Sequence, residues 1–388
     1  MKRKARPTQQ RNIEFLIERI DGLGQGVTKS TAGTCFIPKT LPGETGTARI
    51  HKTSKGVSFA NAISIDTAAP NRIEAECEHF ADCPGCHFLH TGYDSELKYK
   101  HAALTNLLRD LPVKPEQIAV EPAPDRLHYR NRIQLHYRHK YIGMIDGDND
   151  QILEIPNCKI IATELQPAFD ALYADKEWSK THAGGGHCEI YYTEGELRTS
   201  WNQPYAQGGF TQVNEAMNST LCEQLITYAN KGPITTILDL FSGNGNLSEA
   251  LLKDTESQRT MVDSYSDPQN TPSNNFHNLD LFDPSSLKSF ARKHPDSKFD
   301  LLIVDPPRKG FPALSDWVQK YQPQQLIYVS CNAATMARDL KALEGSFVIS
   351  DACLMDLFPA THHYETIVRV EFKNHKKKRP AKDKRLRW

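Results

Sequence analysis

Three short, almost wholly apolar runs between residues 235 and 330 each break off at a turn of small or polar residues. Thr235-Thr236-Ile237-Leu238-Asp239-Leu240-Phe241 precedes Ser242-Gly243-Asn244-Gly245-Asn246, and Phe299-Asp300-Leu301-Leu302-Ile303-Val304-Asp305 precedes Pro306-Pro307-Arg308-Lys309-Gly310. The third, Leu326-Ile327-Tyr328-Val329, precedes Ser330-Cys331-Asn332. Runs without polar alternation, spaced by helix-favouring stretches, predict strands buried on both faces of a doubly wound α/β domain over residues 205–372. Ligands of such sheets bind outside the carboxyl ends of the strands, where all three turns fall.

The turns narrow the chemistry. Gly243-x-Gly245 lets a ligand approach the backbone at a helix start, but no third spaced glycine follows, which argues against a dinucleotide. A strand ending Asp-Leu-Phe before such a turn suits S-adenosylmethionine, which has no pyrophosphate. The strand Arg259–Asp263 ends in a carboxylate suited to ribose hydroxyls, and Asn278 and Asp280 offer an amide and an acid to adenine. Between them runs a polar, proline-broken segment where this fold ordinarily has a helix. Two prolines fix the chain leaving Asp305. Arg308 stands where amino-directed methyltransferases carry a stacking aromatic, and no cysteine follows the prolines as in cytosine-C5 enzymes. Cys331, at the end of the next strand, is either a small buried residue or a nucleophile. Glu365, after His362-His363-Tyr364 and before a closing strand, is either a cap or the matching base.

The amino-terminal half reads differently. Residues 11–70 alternate apolar and polar residues between glycine turns, predicting a small OB-like β-barrel on which Arg49, His51, Lys52 and Lys55 supply positive charge. Residues 71–204 form a central domain. Its Cys77, Cys83 and Cys86 are spaced C-x5-C-x2-C, with Cys158 as a fourth candidate. Four thiolates suit an iron–sulfur cluster or a tetrahedral zinc ion, and His79 and His87 keep a mixed zinc site open. Tyr93 to Leu111 has helical spacing with basic residues between. In residues 126–143, Arg126, Arg130, Arg132, Arg138 and Lys140 interleave with Tyr129, Tyr137 and Tyr141, predicting a strand with one RNA-binding face. The alternative is the charged outer face of a sheet.

The 47 basic and 47 acidic residues cancel, yet the first eleven residues carry five bases and no acid, and the tail 373–388 carries nine bases against Asp383. Such ends suggest a polyanion, although a solvated tail has the same composition. No apolar run approaches the roughly 18 residues of a membrane span, and no apolar segment follows the basic start. Nine unevenly spaced cysteines fit an intracellular metal or catalytic set, so a cytoplasmic protein is expected.

Together these motifs resemble the RNA uracil-C5 methyltransferase family of TrmA and RlmD. The matching stretches are the C-x5-C-x2-C run with Cys158, Phe210-Thr211-Gln212-Val213-Asn214, D-L-F-S-G-N-G-N, D-P-P-R-K-G, S-C-N-A-A-T-M-A-R-D-L and F-P-A-T-H-H-Y-E-T. GLGQGV, Cys35-Phe36-Ile37-Pro38 and Leu41-Pro42-Gly43-Glu44 make the barrel resemble an RNA-binding TRAM domain, which is more like the RlmD branch acting on 23S ribosomal RNA. The resemblance implies a class I (Rossmann-like) methyltransferase domain and a [4Fe-4S] cluster on Cys77, Cys83, Cys86 and Cys158. Gln212, Phe241, Asn246, Asn278 and Asp305, with Asp263 on the ribose and Gly243 in the turn, would hold S-adenosylmethionine. Cys331 would be the covalent nucleophile and Glu365 the base, in a monomer acting on RNA. Leu247, Ala333 and the shortened segment after Asp263 depart from the family pattern. A sister specificity for transfer RNA, a non-catalytic RNA-binding protein and an iron–sulfur sensor are the competing readings.

Overall fold

The described residues between Arg11 and Thr67 owe their shape to one topological constraint. β1 (Arg11–Leu16), β2 (Arg19–Ile20), β3 (Gln25–Ser30), β4 (Gly33–Pro38), β5 (Thr45–Ser54) and β6 (Val57–Thr67) form one sheet in the order β1-β5-β6-β4-β3-β2. β1 and β2 therefore sit at opposite edges, yet only Ile17 and Glu18 separate them in sequence. Such a sheet must curl until its edges meet, and Glu18 N–H donates to the Val27 carbonyl at 2.9 Å across the closure. Alternate residues point inward, gathering Ile13, Phe15, Ile17, Cys35, Ile37, Ala48, Ile50 and Ala60. Register shifts along β5 and β6 bend the pair. Gly46 sits at one of them, where a Cβ would come 2.1 Å from the Ser64 carbonyl oxygen.

The computed structural model describes residues 11–30, 33–146, 151–174, 176–204, 212–252, 257–264, 275–343 and 347–372. The basic ends, Phe210-Thr211 and most of the polar segment after Asp263 lie outside the described residues. These residues fall into two compact units, each discontinuous in sequence. The first comprises Met1–Leu108, Ile118–Gln224 and Cys353–Thr366, and the second Arg109–Gln117, Leu225–Ala352 and Ile367–Trp388.

Beyond the barrel, the first unit contains α1 (Tyr93–Leu108), β7 (Ile118–Glu121) and a five-stranded antiparallel sheet. That sheet joins β8 (Arg132–Arg138), β9 (Tyr141–Asp146), β10 (Gln151–Leu153), β11 (Gly185–Thr193) and β12 (Glu196–Trp201) in the order β10-β9-β8-β11-β12. Its inner face, led by Ile133, Leu135, Tyr137 and Ile190, packs on Phe169 and Leu172 of α2 (Gln166–Ala174). A short α3 (Trp178–Thr181) follows. α4 (Glu215–Ala229) runs from the first unit into the second.

In the second unit β13 (Thr236–Leu240), β14 (Gln258–Asp263), β15 (Phe276–Asn278), β16 (Leu301–Val304) and β17 (Gln325–Ser330) are parallel. With β18 (Phe347–Met355) and β19 (Glu365–Phe372) they run β15-β14-β13-β16-β17-β19-β18 across an eight-stranded sheet. α5 (Asn246–Leu252), α6 (Ser286–Lys293), α7 (Leu314–Tyr321) and α8 (Ala333–Lys341) connect successive strands. Every residue of β16 and β17 is buried, as the uninterrupted apolar runs require. β13 has β14 on one side and β16 on the other, so strand order reverses there. Ligands bind at such a switch point. No described helix is long and apolar enough to cross a membrane.

Candidate active site

The carboxyl end of β13 opens into a turn with three residues in left-handed backbone. Phe241 takes φ +60°, Gly243 φ +51° and Gly245 φ +83°, the left-handed region glycine occupies freely. Nothing lies within 4 Å of where a Gly243 Cβ would stand, leaving open space over the turn. Gly243 N–H donates to Asp263 Oδ2 at 2.8 Å, which ties the turn to the end of β14. Asn246 starts α5, and Asn278, exposed at the end of β15, has its Nδ2 3.4 Å from the Ser264 carbonyl. The Phe241 ring lies edge-on to Phe311 at 5.0 Å and tilted against Phe282 at 5.4 Å. The Lys309 ammonium stands 3.3 Å from the Phe282 ring centre.

Three acids gather at this crevice. Asp239 is buried within β13, Asp263 ends β14 and Asp305 follows β16. Burial lifts the Asp239 carboxyl to about 7, against the opposing pull of the Ser248 hydroxyl and Arg259. Burial also raises Asp305, and the charges of Asp239 and Asp263 raise it further. A crevice in which burial raises two carboxyls, with neighbouring acids raising Asp305 further, suits a ligand bearing positive charge.

Cys331 follows β17 and is partly exposed. Its neighbours fix the turn. Asn332 caps α8 by accepting Ala334 N–H at 3.2 Å, and its Nδ2 donates to the Arg308 carbonyl at 2.8 Å. Ser330 Oγ accepts Asn332 N–H at 3.0 Å. Asp339, buried on α8, accepts Phe311 N–H at 2.5 Å and the Tyr328 hydroxyl at 2.8 Å. The thiol turn and the Asp305–Gly310 loop are thus held as one piece. Sequence reasoning found no part for Ser330 or Asn332 and did not reach Phe282, Lys309 or Phe311. The polar residue opening a helix after Cys331 was the available signal for Asn332.

Phe241, Gly243, Asn246, Asp263, Asn278, Asp305 and Cys331 all belong to the second unit. Gln212 and Glu365 are counted with the first. Gln212 is partly buried, and Glu365 is buried at the start of β19.

Within the first unit, Cys86 is buried and Cys77, Cys83 and Cys158 are partly so. Burial raises the Cys86 thiol, and Cys158, Cys83 and Cys77 raise it further. Cys158 is pushed up to about 11, chiefly by burial, with Cys83 and Cys77 adding to the rise. The four thiols therefore lie within one another's electrostatic reach. Among the described residues no group of three or more His, Cys, Asp or Glu side chains is arranged to hold a single metal ion. Lys39 donates to the Ala81 and Cys83 carbonyls at 2.8 and 3.1 Å and feels the charges of Cys83 and Cys86.

The expected RNA face of residues 126–143 needs correction. β8 begins only at Arg132, and Tyr129 and Tyr137 are buried in the interior, unable to stack on bases. Arg126 is committed to Glu96 at 2.9 Å and Arg132 to Glu189 at 2.8 Å. Charge that must be buried has to be paired, so these arginines face inward. Arg138, Lys140 and Tyr141 remain exposed, as do Arg49, His51, Lys52 and Lys55 on the barrel.

The parallel sheet with its ligand crevice at β13 is the fold of class I S-adenosylmethionine-dependent methyltransferases. A family model described as tRNA (Uracil-5-)-methyltransferase matches residues 285–373. The chain is 27% identical over 436 residues to the 23S rRNA (uracil(1939)-C(5))-methyltransferase RlmD of Shewanella frigidimarina, covering 92% of this chain and 95% of that one. The protein of the same description from Shewanella sp. (strain W3-18-1) is 26% identical, with 95% and 98% covered. The solved Pyrococcus abyssi tRNA (uracil-54, C5)-methyltransferase, bound to S-adenosyl-L-homocysteine, shares the fold. Its TM-score is 0.67 at 19% identity, covering 92% of this chain and 100% of that one. Over nearly its whole length the chain is thus similar to RNA uracil-C5 methyltransferases, and the curated relatives it matches are of the RlmD type.

Proposed function

We propose that this chain transfers a methyl group from S-adenosylmethionine to carbon 5 of a uridine in 23S ribosomal RNA. The observation that carries the reading is a thiol just beyond β17, clasped through Asn332 to the loop that follows Asp305. Carbon 5 of uracil is a weak nucleophile. Addition of the Cys331 thiolate to carbon 6 makes an enolate whose carbon 5 takes the methyl group, releasing S-adenosylhomocysteine. The Glu365 carboxylate then removes the carbon-5 proton, the C–H pair restores the C5=C6 bond, and the C6–S bond breaks to return the thiolate.

Phe241, Gly243, Asn246, Asn278 and Asp305, together with Gln212, are assigned to the methyl donor, with Asp263 on its ribose. The acid-rich crevice suits the sulfonium and amino charges of that donor. We assign RNA contact to the barrel, as a TRAM-like module, and to the exposed bases of β8 and β9. We also assign a [4Fe-4S] cluster to Cys77, Cys83, Cys86 and Cys158. What supports the assignment is the donor chemistry: four thiols within one another's electrostatic reach, with Lys39 close enough to two of them to offset their charge. The cluster would shape the surrounding surface, since methyl transfer consumes no electrons. The chain is taken to act as a monomer.

Labelled methyl incorporation into 23S and transfer RNA transcripts tests the reaction, and mapping 5-methyluridine in RNA from cells lacking the protein tests the target. An unchanged map would refute the function. Equal incorporation by Cys331→Ala would refute the nucleophile. Iron and acid-labile sulfide at about four each per chain are expected, and a colourless zinc-loaded protein would overturn the cluster.

A further inference from the structure

The first unit contains a buried ionic network that the reaction just described does not use. Glu96 and Lys100 lie one turn apart on α1, at 0% and 2% exposure. The Lys100 ammonium donates to Glu96 Oε1 and Asp356 Oδ1, both at 2.7 Å, and to the Phe358 carbonyl at 3.2 Å. Glu96 Oε1 also accepts Ala360 N–H at 2.7 Å, while its Oε2 accepts Arg126 Nη2 at 2.9 Å. Tyr93, at the start of α1, donates to Asp356 Oδ2 at 2.8 Å.

All these bonds converge on the turn 356–361. Its carbonyls are held from four directions: Leu357 by Asn214, Phe358 by Lys100, Pro359 by Tyr129, and Ala360 by His87 and Phe88 N–H at 2.7 and 3.0 Å. Ala360 takes φ +66°, a left-handed conformation unfavourable for any side chain, and stays there under these restraints. Replacing paired buried charges by apolar groups is often neutral or stabilising, so bulk stability does not explain three buried charges. What the charges specify is the path of one short turn. Glu365 lies four residues beyond that turn.

We infer that Glu96, Lys100 and Tyr93 are positioning residues for Glu365, acting through the turn 356–361. The inference rests on Glu365 being the base, and it extends to the four-cysteine segment, because Arg126 Nη2 also donates to the Phe88 and Thr91 carbonyls at 2.8 Å each. A displaced base leaves thiolate addition and methyl transfer intact and slows proton removal, so the methylated Cys331–RNA adduct accumulates.

The test follows single-turnover methyl transfer and the denaturation-stable RNA adduct in Lys100→Met, Tyr93→Phe and Glu365→Gln. Adduct release slowed roughly 10²-fold in K100M, with transfer little changed, is expected from misplacing a reacting group by about an ångström. Y93F, the milder variant, decides the matter if K100M does not fold: roughly tenfold slower release is expected on the same argument. Adduct in E365Q but not in folded K100M or Y93F overturns the positioning role, as does a parallel fall of transfer and release. No adduct in E365Q overturns the base assignment and this inference with it.

Discussion

A cysteine at a strand end becomes a usable nucleophile only when the backbone around it is fixed. Asn332 does two jobs there, capping α8 and holding Arg308 by its carbonyl. Asn332→Ala should lower stability by about 1 kcal/mol through the lost cap. It should also cut the rate of adduct formation while leaving methyl-donor affinity unchanged, which calorimetry and single-turnover kinetics would separate. Asp239 makes a second prediction. Its carboxyl, near 3.8 when unfolded, is held at about 7 by burial, so the folded state keeps a proton the unfolded chain has lost. Its contribution to stability is therefore fully present below about 4 and is lost as pH rises toward about 7. Thermal unfolding of wild type and Asp239→Asn across that range should show the slope flatten in the variant. A donor bearing positive charge should also bind more tightly as pH rises through 7, because it displaces that proton. Cys331 and Glu365 stand out in the sequence as candidates because few side chains can serve as a nucleophile or a base. Lys100 does not: read along the chain it is one of several bases on α1, and only its distant partner Asp356 reveals that it is buried.

At the scale of elements, legibility followed burial geometry. β13, β16 and β17 were plain because burial on both faces leaves no polar residue to blur the run. β3 is harder to see because it begins within the glycine-rich stretch GLGQGV, and the polar end of β5, up to Ser54, carries no apolar alternation to mark it. The stretch 126–143 misled for a physical reason: tyrosine and arginine interleave equally on an RNA-binding face and on a core strand with internal ion pairs. The barrel makes a sharp prediction. Gly46→Val would push a side chain into the Ser64 carbonyl and open the β5–β6 ladder. A loss of about 1–3 kcal/mol is expected for such overpacking, read as a lower urea midpoint, with methyl-donor binding by the second unit retained.

At the scale of the molecule, exposed bases on the barrel and on β8–β9 set how the protein meets a polyanion. RNA affinity should fall linearly with log salt, and Arg49→Ala with Lys52→Ala should reduce the slope by about 1.4, at about 0.7 per single-strand phosphate. Filter binding at several salt concentrations would measure it. The order in which the units close along the chain has its own result. The first unit begins with the barrel but is completed by Cys353–Thr366, after nearly all of the second unit has been translated. A nascent chain emerges from the ribosome with its amino-terminal strands first. Lys100 must then wait 256 residues for Asp356. Until then the growing chain carries an ammonium that has Glu96 beside it but lacks Asp356, its second carboxylate. Synthesis therefore delivers the turn and Glu365 late, so the ionic network around the turn cannot close before most of both units has been made.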